Sequence, residues 1–140
     1  MLKIEYLCDK FVDYRNKERE FILAAVSIPM KGYADLWEYI KEAPKFPAYL
    51  DVEKVLAIGI SIRHPDDKYN EEFGKRIAVG KSLKGKGKYL LVTDSGLINT
   101  KMVRALLEQE ADYFKRNPES YIAGYNKAAE KWKSGEISQY

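Results

Sequence analysis

Apolar and polar positions along the first 28 residues follow the pattern of strands. They partly alternate in Lys3–Leu7 and again in Phe11–Tyr14, with Cys8-Asp9-Lys10 short enough for a hairpin loop between them. Arg15–Glu18 reads as a polar turn, and Arg19–Ile28 as a third, more buried strand. Tyr33, Leu36, Trp37 and Ile40 then recur at helical spacing, which predicts a helix over Tyr33–Ala43 that stops before Pro44. Lys54–Ile62 is a nearly continuous apolar run, the mark of a strand covered on both faces.

The second half is dominated by helices. A helix is predicted over Asp67–Lys84, capped by Asp66 or Asp67, with Glu71 and Glu72 early and Lys81 and Lys84 late, charges that suit the helix dipole at both ends. Phe73, Ile77 and Ala78 form its apolar face, while Gly74 and Gly80 cost helix propensity and point to close approach by a neighbour. Tyr89–Thr93 is a fifth strand. Asn99 or Thr100 caps a long helix to Arg116 with Val103, Leu106, Leu107 and Phe114 inside. Asn117-Pro118-Glu119 ends that helix and starts another, packed through Tyr121, Ile122, Tyr125, Ala129 and Trp132.

This order predicts a single α+β domain over residues 1–133 and a loose tail over 134–140. About five strands form a mixed or antiparallel sheet covered by helices, the two longest-packed of them at the C-terminus. If Lys54–Thr93 is a right-handed parallel crossover, Arg63-His64 and Asp94-Ser95 lie side by side at one sheet edge.

Composition narrows the class. With one Cys and one His among 140 residues, neither an internal disulfide nor a common zinc cage can form. No apolar run approaches the ~18 residues of a membrane span and no signal-peptide pattern is present, so the expectation is a cytoplasmic chain without membrane contact. The net charge of +3 is concentrated locally, since Lys75–Lys88 holds six cations and no acid. An anionic partner belongs there first.

Four features carry candidate chemistry. Gly74–Ser82 approaches a P-loop but has five residues before the Gly-Lys pair where the motif has four, and it lacks a preceding strand. His64 with Asp66 and Asp67 offers acid–base or hard-metal chemistry, although Pro65-Asp66-Asp67 is equally an ordinary helix start. The strand-end pocket would gather Arg63, His64, Asp94, Ser95, Asn99, Thr100 and Arg104, with Lys81 from the basic segment. In it Arg104 reaches a phosphate and Asp94 or Asn99 a ribose hydroxyl. The aromatic content of 13% fits a core or an oligomer interface better than a base-stacking surface.

Gly59–Lys81 (GISIRHPDDKYNEEFGKRIAVGK) and Leu97–Pro118 (LINTKMVRALLEQEADYFKRNP) resemble segments of small phage and prophage α+β proteins. In size and element order the chain is similar to the sponges that phages use against the Thoeris defence system. That resemblance implies a non-enzymatic, oligomeric binder that holds a cyclic ADP-ribose-type nucleotide intact, without cofactor. Two alternatives stand beside it. One is a nucleotide hydrolase or lyase using His64 with Asp66 or Asp67; the other is an inhibitor that binds nucleic acid through Lys75–Lys88 or a host protein through an aromatic surface.

Overall fold

The computed structural model describes residues 3–30, 38–39, 52–64, 66–85, 87–92 and 99–135. The sheet has four strands in chain order: β1 (Lys3–Val12), β2 (Glu18–Pro29), β3 (Lys54–Ile62) and β4 (Lys88–Val92). Every neighbouring pair is antiparallel. The helices are α1 (Glu71–Leu83), between β3 and β4, then α2 (Thr100–Arg116) and α3 (Tyr125–Lys133), with a 3-10 turn at Pro118–Ser120. Of the predicted helix over Tyr33–Ala43 only Glu38 and Tyr39, both helical, are among the described residues, and the end of the predicted tail lies outside them.

The α+β class is correct, but four strands replace the expected five. Residues Lys3 to Val12 are one strand that passes straight through the expected loop at Cys8-Asp9-Lys10. Two contacts account for this. The real turn lies at Asp13–Lys17, where the buried Asp13 carboxylate accepts from the backbone N–H of Arg15 (2.9 Å) and Lys17 (3.1 Å), and Asn16 takes φ +59°. Asp9, polar in mid-strand, is paired by Lys115 reaching down from α2.

Side chains of β2 alternate between two helical layers. Phe21, Leu23 and Ala25 face α2 and join Phe11, Leu56, Val103, Leu107, Ala111 and Phe114 in the main core. Phe114 meets Phe11 and Phe21 edge-to-face, both at 4.7 Å between ring centres, a geometry worth about 0.5–1.5 kcal/mol per pair beyond burial. Ile22 and Ala24 face α1 and pack with Ala78. Helices therefore cover both faces. The longest is α2, 17 residues; α1, at 13, is longer than the C-terminal α3, at 9.

The cap of α1 is Asn70 rather than Asp66 or Asp67, its side chain accepting from Phe73 N–H at 3.0 Å. Its buried line is Gly74, Ala78 and Ser82, and Phe73 points to solvent at 56% exposure. Small residues win because the helix lies almost on the sheet. A Cβ on Gly59 would stand 2.1 Å from Ala78 O and 2.7 Å from Ser82 Oγ. Gly74 is likewise tight against Ile22, whereas Gly80 has nothing within 4 Å.

The expected parallel crossover is not formed. Helix α1 ends level with the middle of β3, and Gly87 emerges against Ile58 O. The chain simply continues in its direction, so Lys88 pairs with Ile58 and Val92 with Lys54. The end of β4 is thus at the start of β3, roughly 30 Å along the strand from Arg63.

Gly59→Ala is expected to destabilise the fold by about 3 kcal/mol, because backbone and a buried hydroxyl must move. Gly80→Ala is expected to stabilise it by about 0.5–1 kcal/mol, having space and only entropy to gain. Urea unfolding of the two variants checks this pair, and equal effects would contradict the helix placement.

Candidate functional site

β4 is five residues long against nine in β3, and its pairing stops at Ile58. Beyond that point the sheet steps down, and the step forms a cavity of about 440 Å³. Its floor is apolar: Leu23, Ile58 and Ile60. Lys81 from α1, Lys88 from β4, Glu110 and Tyr113 from α2, and Tyr121 after the 3-10 turn close around it. This size and mixture of an apolar floor with a few convergent polar groups are those of a small-molecule site.

The polar groups form one network. Lys88 Nζ stands 2.9 Å from Glu110 Oε1, 4.3 Å from the centre of the Tyr113 ring and 5.4 Å from that of Tyr121. The Tyr121 hydroxyl donates to the same Glu110 oxygen. An ammonium over two aromatic faces beside a carboxylate is held by charge and by ring quadrupoles together. Burial opposes the charge of Lys88, but its bonds to Tyr121 and Glu110 prevail and raise its pKa. Burial, reinforced by the bond to Glu110, pushes Tyr121 up to about 12.

Of the described residues assigned to the predicted strand-end pocket, only Lys81 lines this cavity. Arg63 and His64 lie at a separate cleft of about 90 Å³, room for a few waters at their ~30 Å³ each rather than a nucleotide. There Arg63 bolts the loop after β3 onto β2. Its Nε donates to Glu20 Oε2 at 2.8 Å and its two terminal nitrogens to Asp67 O (2.8 Å) and Glu18 O (3.2 Å). Arg19 Nε in turn donates to Arg63 O at 2.8 Å. The His64 Nδ1 accepts from the Asp66 backbone N–H at 3.2 Å and stands 3.8 Å from Asp66 Oδ2, both side chains being exposed to solvent.

Asn99, Thr100 and Arg104 sit at the far end of the sheet. Asn99 caps α2 as expected, its side chain accepting from Met102 N–H at 2.9 Å. Thr100 and Arg104 border a shallow surface hollow, with Arg104 Nε 3.7 Å from Glu5. Asp94 and Ser95 lie outside the described residues. Antiparallel β4 pairing is what separates Arg63 and His64 from Asn99, Thr100 and Arg104. The P-loop resemblance also fails here, since Gly74–Ser82 is continuous helix.

The cations of 75–88 do not form one surface. Lys75 pairs with Glu71 at 3.2 Å and lies over Tyr6, while Lys88 turns to Glu110 on the opposite face of the sheet. Glu110 escaped notice because an acid on a helix reads as solvated surface. Tyr113 and Tyr121 were visible as aromatics, yet their convergence requires α2 and the 3-10 turn to be placed. Among the described residues no group of three or more His, Cys, Asp or Glu side chains converges as a metal site, and no helix is long and apolar enough to cross a membrane. No family model matches the chain, and no curated protein or solved structure is significantly similar to it.

Tyr39 shares the perturbation seen in Tyr121, being pushed up to about 12 by burial while donating to Ser82 O. Both hydroxyls hold their protons more tightly folded than unfolded. Their contribution to stability is complete below pH ~10 and lost as pH rises toward 12. The melting temperature is expected to fall across that window, less so in Tyr121→Phe and Tyr39→Phe. Tyrosinate absorbance with every tyrosine titrating near its ordinary value would contradict it.

Proposed function

We propose that this chain is a non-catalytic binding protein that captures a small anionic ligand of nucleotide type in the cavity at the sheet step. The observation that carries the reading is the Lys88–Glu110–Tyr121 network with Tyr113 over an apolar floor. Lys88 and Lys81 supply positive charge for a phosphate, Tyr113 and the floor take a flat ring, and Glu110 accepts from a ribose hydroxyl or base amine. The groups are pre-positioned by one another, which lowers the ordering cost of binding. Holding a ligand requires affinity and slow release rather than a nucleophile.

The resemblance to phage anti-defence sponges fits this reading and suggests the ligands to try, linear and cyclic ADP-ribose. The cavity replaces the strand-end pocket as the place of binding. Lys88→Ala is expected to weaken nucleotide binding about 10- to 100-fold, the scale of a hydrogen bond to a charged group, and Tyr113→Ala by about tenfold. Arg104→Ala is expected to leave affinity unchanged. Titration calorimetry with the ADP-ribose compounds reads all three, and equal affinity of Lys88→Ala and the parent chain would contradict the site.

A further inference from the structure

β1 is an edge strand ten residues long, and among the described residues nothing pairs with its outer side. Such an edge is a ready template for another strand. Its α1-facing side presents Tyr6 and Val12, 38% and 58% exposed. Above it, α2 lies over β1 and β2, with Arg104 reaching Glu5 and Lys115 reaching Asp9 along the overhanging side.

We propose that β1 pairs antiparallel with β1 of a second copy of this chain about a two-fold axis at Tyr6, joining two four-stranded sheets into one. The charges select that register. Residues directly opposite must share a face, and pairing about Tyr6 sets Lys3 against the partner's Asp9, Glu5 against Leu7 and Ile4 against Cys8. Moving the axis to Glu5 or Leu7 sets carboxylates against each other, Glu5 on Glu5 or Glu5 on Asp9.

Helix α2 carries an independent sign of the same axis. At 100° per residue, Lys101, Arg104, Glu108 and Asp112 fall in one stripe about 80° wide, on the side away from Tyr113 and the cavity. Two such stripes side by side and antiparallel place Arg104 against Glu108 and Lys101 against Asp112, centred near residue 106. Since Arg104 is beside Glu5 and Lys115 beside Asp9, the level of Tyr6 falls about a quarter of the way between them, also near residues 106–107. An axis at Cys8 would instead bring Asp112 onto Asp112. A helix centred over β1 and β2 stands about 5 Å from the axis, so the two helices come about 10 Å apart, a packing distance. The hollow bordered by Thr100, Lys101, Arg104, Ala105 and Glu108 lies on this stripe.

The test is the mass and cross-linking of the full chain. Light scattering is expected to give twice the protomer mass at micromolar concentration. Tyr6→Cys in a Cys8→Ser background is expected to form an inter-chain disulfide on mild oxidation, because directly opposed residues satisfy disulfide geometry. Arg104→Glu is expected to raise the dimer dissociation constant at least tenfold, and Arg104→Glu with Glu108→Arg to bring it back. Both positions are on the surface of α2, and circular dichroism checks that the variants fold. A monomer overturns the proposal, as does a dimer that links through native Cys8 rather than through position 6, or one indifferent to Arg104→Glu.

Discussion

Residues Phe21–Val26 of β2 are buried on both faces, and this double burial dictates the layout around them. A strand apolar on both sides needs cover above and below, so an antiparallel sheet acquires α2 on one face and α1 on the other. The two faces solve the packing differently. Toward α2 the side chains are large and the Phe11–Phe21–Phe114 cluster fills the space. Toward α1 they are small, and Gly59, Ala24, Ala78 and Ser82 let helix and sheet nearly touch.

That close approach has a consequence for the cavity. Because α1 rests so low and ends beside Ile58, β4 starts there and leaves the far half of β3 without a fourth strand. The space beside it is roofed by α2 and the turn that follows, which bring Glu110, Tyr113 and Tyr121 over Lys88. The site is therefore a product of where a strand begins, and its residues come from four separate stretches of the chain.

Much of the fold was legible in the sequence. The buried strands Arg19–Ile28 and Lys54–Ile62, the Asn99 cap and the Val103/Leu107/Phe114 stripe all follow from periodicity and capping chemistry. What was not legible depended on partners distant in sequence. Asp9 reads as a loop residue until Lys115 is beside it, Phe73 reads as core until Gly74 is seen to take its place, and the sense of β4 depends on how far α1 travels. The site was hidden for the same reason. Lys81 and the basic segment around Lys88 stood out by charge, but Glu110 had no local signal, and Arg63, conspicuous at a strand end, is committed to Glu20, Glu18 and Asp67.

The account rests on the cavity holding a nucleotide-type anion without changing it. The most direct measurement incubates the purified chain with linear and cyclic ADP-ribose compounds, removes free ligand, denatures the protein and identifies the released molecule by mass spectrometry. An intact nucleotide recovered at a fixed ratio to the chain, and lost in Lys88→Ala, is the predicted result. A converted product, or no nucleotide retained by the unaltered chain, would contradict it.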